Sequence, residues 1–422
     1  MDPVAVKHLL MIAYHFPPLR GSSGIQRTLK FSSYLPQFGW QPIVLTPHAR
    51  AYEKTGMDQM SEVAQGMPVC PAFALDTARH LSIRGRYPHM LALPDRWASW
   101  LLGAVPVGLR MIRKYRPEVI WSTYPIATAH LIGLMLHRIT GIPWLADFRD
   151  PMTDSGYPPD PARRRVYTWI ERHAVNESAH AVVTTPGTMR MYRERFPDLP
   201  ASRFSIIENG FDEENFEQAG ARSTGPISQD RPLVLVHSGT LYPSERDPRA
   251  FFAALSALLR SGRISAASLR VVLRATYHDA YIQPLIDQHG IGEVVHLAPP
   301  IGYQEALEEM LAADGLIVFQ ATNCNHQIPA KLYEYLRARR PILGLTDPLG
   351  DTAGVLRSAG IDTIAALDSE ASIRERLIDF LQRLRGGSAP VASWDQVQLF
   401  SRRARTQQLA NLLDQMSGPA TG

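Results

Sequence analysis

Lys331 and Glu334 are the residues from which chemistry can be argued first. They stand three apart in IPAKLYEYLRARRPILGL, on one face of a helix that opens near Pro329, whose missing N–H costs nothing in a first turn. An ammonium beside a helix N-terminus attracts a diphosphate, and a carboxylate one turn later accepts hydrogen bonds from ribose hydroxyls. The same pair is also what a plain amphipathic helix shows on its solvated face. Asp147, Arg149 and Asp150 close an apolar run in LADFRDP, where two acids around an arginine read either as a salt-bridged knot or as a charged cleft wall. Gly21, Ser22, Ser23 and Gly24 separate an apolar run from an amphipathic helical pattern. Backbone N–H groups in such a turn can cradle an anion, although a tight turn needing glycine gives the same pattern. The spacing is neither that of a P-loop nor GxGxxG. A second glycine turn, Ser238-Gly239-Thr240, follows LVLVH and precedes Arg246.

The elements that must position these groups alternate regularly. Leu316 to Phe319 reads as a buried parallel strand, the loop Gln320 to Ile328 follows, and Leu332, Tyr335 and Leu336 give the next helix an inward stripe before the strand Ile342 to Leu345. The first half repeats the scheme, with strands at Val4–Tyr14, Gln41–Thr46, Val119–Ser122, Trp144–Phe148, Ala181–Thr185 and Phe204–Ile207. Residues 49–94 are irregular, apart from a short strand near Met67–Pro71, and Trp97–Tyr115 reads as a helix interrupted by Pro106. Asn209-Gly210 signals a turn, and the polar stretch that follows reads as a linker. The expected fold is α/β, two doubly wound Rossmann-like domains facing a central cleft: 1–215, a linker 216–231, 232–393, and a last helix 394–422 crossing back to the first domain.

A chain of 422 residues exceeds one ordinary core, which supports the two-domain reading. Cys70 and Cys324 are the two cysteines, too few and too far apart for a disulfide scaffold or a metal site, and they suit a reducing cytoplasmic setting. The longest apolar stretches are about half a membrane span, and no signal-peptide pattern precedes them. The net charge of +4 is carried by dispersed basic residues without an aromatic-basic stripe, which argues against nucleic acid. Arg110, Arg113, Lys114 and Arg116 cluster beside an apolar helix, either as a solvated face or as a contact for anionic lipid at the inner face of the plasma membrane.

HFPPLRGSSG, IPWLADFRDP, IIENGFD, LVHSGTLYPSERDP and IPAKLYEYLRARRPIL, in this order, resemble the retaining, nucleotide-sugar-dependent glycosyltransferases of family four, of GT-B architecture and bacterial polysaccharide type. The resemblance implies a UDP- or GDP-sugar as donor, a glycan or lipid-linked hydroxyl as acceptor, no metal and no cofactor. By it, Lys331 and Arg246 stabilise the donor diphosphate and Glu334 holds the ribose. Gly239, Thr240, His326, Gln327, Ile328 and Pro329 shape the donor pocket. Gly21 to Gly24 approach from the opposite domain, Asn209 and Gly210 mark the turn between domains, and Asp147, Arg149 and Asp150 fall in the catalytic region. The family pairs Glu334 with an acid eight residues earlier, where this chain has His326. A sugar-nucleotide 2-epimerase on the same fold, and a non-catalytic binding protein derived from a transferase, are the rival readings.

Overall fold

The computed structural model describes residues 6–21, 24–57, 59–220 and 231–418. Ser22, Ser23 and most of the expected linker lie outside them. The chain divides into two compact units, Met1–Glu208 with Arg402–Gly422, and Asn209–Ser401.

The first unit is built on seven strands: β1 (Lys7–Ile12), β2 (Trp40–Pro47), β3 (Val69–Ala72), β4 (Val119–Thr123), β5 (Trp144–Phe148), β6 (His180–Val183) and β7 (Phe204–Ile206). They form one parallel sheet in the order β3-β2-β1-β4-β5-β6-β7. Every residue of β4 and β5 is buried, which is why these strands read as near-continuous apolar runs. The helices between them are α1 (Gly24–Tyr34), α2 (Thr77–His80), α3 (Trp100–Tyr115), α4 (Ala127–Thr140), α5 (Pro161–Glu177) and α6 (Pro186–Arg195). Pro106 lies inside α3 without ending it. Strand order reverses between β1 and β4, the point at which open parallel sheets generally bind ligands beyond their carboxyl ends.

The second unit opens with α7 (Glu213–Ala219), β8 (Leu233–Ser238), α8 (Arg249–Arg260), β9 (Leu269–Arg274) and α9 (Asp279–His289). It continues through β10 (Val295–Ala298), α10 (Tyr303–Ala312), β11 (Gly315–Gln320), α11 (Lys331–Ala338) and β12 (Ile342–Thr346). It ends with α12 (Asp351–Ser358), β13 (Ile364–Ala365), α13 (Glu370–Arg385) and α14 (Trp394–Leu399). The sheet is parallel, ordered β10-β9-β8-β11-β12-β13, with its reversal between β8 and β11. Alternating side chains feed two cores, with Ile317, Phe319, Leu343 and Leu345 on one face and Leu316, Val318 and Ile342 on the other.

Two boundaries differ from the sequence expectation. The expected linker overlaps α7, whose Phe216 and Ala219 are buried, so a short amphipathic turn was hidden in polar composition. The expected single last helix breaks at Phe400-Ser401: α14 belongs to the second unit, and α15 (Arg402–Ser417) to the first. Phe211 and Ser401 form a parallel bridge, and the Phe211 N–H donates to the Phe400 carbonyl at 3.2 Å. Backbone pairing at that point fixes a bend that helical periodicity does not announce. Helix α15 packs on α1, with Lys7 bound to Asp414 at 2.8 Å.

Candidate functional site

In the second unit the candidates gather beyond the carboxyl ends of β8 and β11. His237 is fully buried near the end of β8, and its Nδ1 lies 2.9 Å from the Ile317 carbonyl. A carbonyl only accepts, so Nδ1 carries the proton and Nε2 offers its lone pair. Burial, reinforced by the Lys331 charge, holds this imidazole neutral, well below its ordinary pKa. Lys331, the first residue of α11, places Nζ 3.4 Å from that Nε2.

Gly239 makes the approach feasible. A Cβ there would stand 2.5 Å from Lys331 Nζ, and φ is +115°, so glycine serves both space and backbone. Burial, then the neighbouring Arg246 guanidinium, bring the Lys331 ammonium down to about 7, while Glu334 works against them. Arg246 donates from Nη1 to the Thr240 carbonyl at 2.9 Å and stacks over Tyr242 at 5.4 Å. Its Nε is buried with no hydrogen-bond partner. Two cations and the N-terminus of α11 therefore converge on one point, an arrangement that attracts an anion. Glu334, one turn along α11, accepts from Tyr303 Oη at 2.8 Å.

The loop ahead of α11 contributes differently from residue to residue. Ile328 packs into one of the unit's cores and Pro329 is buried, with its carbonyl accepting from the Leu332 N–H at 2.9 Å. Both supply backbone shape. His326 and Gln327 are half-buried, and the Gln327 carbonyl accepts from Thr352 Oγ1 at 3.3 Å. A cavity of about 300 Å³ bounded by Asp247, Arg249, Thr322 and Asp368 includes none of Lys331, Arg246, His237 or Glu334.

In the first unit, Gly24 starts α1, and a Cβ there would meet Arg149 Nη1 at 2.6 Å and His15 Nδ1 at 2.7 Å. Burial and the Arg149 charge bring His15 down to about 3, so it is neutral. Arg149 is itself lowered by burial, and its Nε is buried without a partner. Gly21 takes φ +81° with open space around it, so its role is conformational.

Asp147 does not open onto a cleft. Arg27 grips it from Nε at 3.0 Å and Nη2 at 2.7 Å, Thr123 Oγ1 donates at 2.9 Å, and the carboxylate is fully buried. Arg27 Nη1 also donates to the Glu208 carbonyl at 3.1 Å, and the Glu208 side chain pairs with Arg405 of α15. The salt-bridged knot is thus the reading that fits Asp147, because Arg27 and Thr123 hold both of its oxygens and the carboxylate is closed to solvent. Asp150 is exposed. Asn209 and Gly210 fall where the first unit gives way to the second along the chain.

Sequence reasoning passed over His15, Arg27, His237 and Tyr303. The one available signal was position: His15 and His237 each stand close after an apolar strand and ahead of a glycine turn.

Residues 24–210, from the first residue of α1 to Gly210, match a family model described as a glycosyl transferase 4-like domain. A search of curated proteins finds no match. Among solved structures, sucrose-phosphate synthase from Thermosynechococcus elongatus superposes with a TM-score of 0.67 at 14% identity, over 97% of this chain and 98% of that one. HepE from Anabaena, in complex with UDP and glucose, gives 0.63 at 13%, over 97% and 100%. UDP-GlcNAc 2-epimerase from Neisseria meningitidis, bound to UDP-GlcNAc, gives 0.52 at 11%, over 97% and 100%. The two parallel-sheet units share the GT-B fold of these structures.

Proposed function

We propose that the protein is a retaining glycosyltransferase that moves a sugar from a UDP- or GDP-sugar to a hydroxyl acceptor. The acceptor is a glycan or a lipid-linked saccharide in bacterial cell-surface polysaccharide or glycoconjugate synthesis, worked on at the inner face of the plasma membrane. The observation that carries this reading is the convergence of Lys331, Arg246 and the α11 N-terminus around Gly239. The match of residues 24–210 to a glycosyl transferase 4-like domain supports it.

In this mechanism the donor diphosphate lies against Lys331 and Arg246, and Glu334, oriented by Tyr303, accepts hydrogen bonds from the ribose hydroxyls. As the bond from the anomeric carbon to the diphosphate oxygen breaks, negative charge grows on the leaving group. Each fixed cationic or N–H donor aimed there lowers the barrier by about 3 kcal/mol. The departing diphosphate oxygen takes the proton of the incoming hydroxyl while the new glycosidic bond forms on the same face. Neither a side-chain nucleophile nor a metal or cofactor enters these steps. His326 and Gln327 supply hydrogen bonds to the donor sugar in place of the missing acid. His237, neutral and fixed by Ile317, orients Lys331. Within the first unit, Arg149 beside Gly24 and the exposed Asp150 are the groups offered to the acceptor, and Asp147 positions the β5 end through Arg27.

The test is Lys331→Ala with a panel of UDP-, GDP- and TDP-sugars. The wild-type chain gains thermal stability with its own donor, as binding to the native state requires. The variant keeps the ligand-free melting temperature and loses about a hundredfold in turnover. Undiminished turnover would remove Lys331 from the reaction, and donor rearrangement without any acceptor would favour the epimerase reading.

A further inference from the structure

Residues 77–94 hold three arginines, two histidines and no acid. The segment is ordered by its own hydrogen bonds. Arg84 and Gly85 both adopt positive φ (52° and 75°), the type I′ geometry of a tight hairpin turn. Ile83 and Arg86 exchange backbone hydrogen bonds of 2.8 and 3.1 Å across it. Thr77 Oγ1, at the start of α2, donates to the Leu91 carbonyl at 2.7 Å, which ties the two halves together. His89 Nε2 meets Asp160 at 3.5 Å.

This fixed turn shows water an unusual set of side chains. Ile83 is 80% exposed and Met90 81%, with Leu81 and Leu91 exposed beside them in sequence. Arg79, Arg84 and Arg86 are exposed among them. Large apolar side chains held out on an ordered turn gain nothing from water, and interleaved guanidiniums would repel a second copy of the same surface. The combination suits one environment, an interface that is apolar at depth and negative at its rim. The end of α3 differs. Arg110, Arg113 and Lys114 are exposed there, but the nearest exposed large apolar side chain on that helix is Leu102, about two turns away.

We infer that residues 79–91 are a docking loop for an anionic phospholipid surface, with Ile83 and Met90 entering the acyl boundary and Arg84 and Arg86 meeting headgroup phosphates, while Arg79 is tied to the Tyr52 carbonyl. This locates the membrane contact of the reading above in the hairpin rather than on α3. Its test reads lipid binding, so it can fail while glycosyl transfer stands.

The experiment is co-sedimentation of the full chain with vesicles of phosphatidylcholine alone and of phosphatidylcholine mixed with phosphatidylglycerol. The wild-type chain sediments with the anionic vesicles only. Ile83→Ser/Met90→Ser and Arg84→Glu/Arg86→Glu each lower partitioning about tenfold or more, with melting temperatures unchanged because all four side chains lie outside the core. Arg110→Glu/Arg113→Glu binds as the wild type does. No binding to anionic vesicles by the wild-type chain would overturn the proposal and leave the hairpin to a protein partner. Hairpin variants that bind normally, or a loss in the α3 variant as deep as theirs, would overturn it as well.

Discussion

The two units solve one local problem with the same parts and end with different chemistry. Each has, at or just past the end of its first strand, a neutral histidine (half-buried His15, fully buried His237) and then a glycine whose missing Cβ leaves room for a cation. In the first unit the cation is Arg149, 2.6 Å from the Cβ that Gly24 lacks, and in the second it is Lys331, 2.5 Å from the one that Gly239 lacks. A guanidinium keeps its charge throughout the ordinary pH range, whereas the lysine, brought down to about 7, does not. The acids differ too. Asp147 is sealed against Arg27, while Glu334 is half-buried on the side of Tyr303. The first unit therefore commits Asp147 to structure, and the second keeps a titrating cation and a half-buried carboxylate one turn apart on α11.

The contrast can be broken most forcefully at Asp147. Removing it leaves Arg27 buried without a counter-charge, and Asp147→Ala should cost about 3–5 kcal/mol in urea unfolding followed in the first unit. A loss below about 1 kcal/mol would mean that the pair is as dispensable as a surface bridge. The next effect is pH dependence confined to the second unit. A diphosphate prefers the protonated lysine, so donor affinity should be level below about pH 7 and fall up to tenfold per unit above it. Calorimetry at about pH 8 should record proton uptake on binding, and Lys331→Arg should flatten the profile because arginine stays charged. A flat wild-type profile would show that Lys331 is protonated throughout. The smallest effect is Tyr303→Phe. Loss of one hydrogen bond to Glu334 should weaken donor binding by about 1 kcal/mol, roughly fivefold, with turnover at saturation little changed. A change in turnover alone would place Tyr303 on the reacting atoms.

Much of this architecture could be read in one dimension, and the reasons are local. Leu316 to Phe319, Trp144 to Phe148 and Val119 to Ser122 read as strands because a parallel sheet covered on both faces needs apolar residues without interruption. Helix α7 was missed, because one buried phenylalanine in a polar stretch gives no period. Of the candidate residues, Lys331, Gly239 and Arg246 meet in the structure, Ile328 turns out to be core, and Asp147 turns out to be half of a buried pair.

The sequence by itself determined the alternation of strand and helix, the two glycine turns and the lysine-glutamate spacing on α11, because each depends on neighbours within a turn or two. Only the tertiary structure decided which histidine faces Lys331, which acid Arg27 claims, and how far burial lowers the lysine. Those depend on groups more than 90 positions apart, such as His237 and Lys331, which are brought together by the order of strands in a sheet.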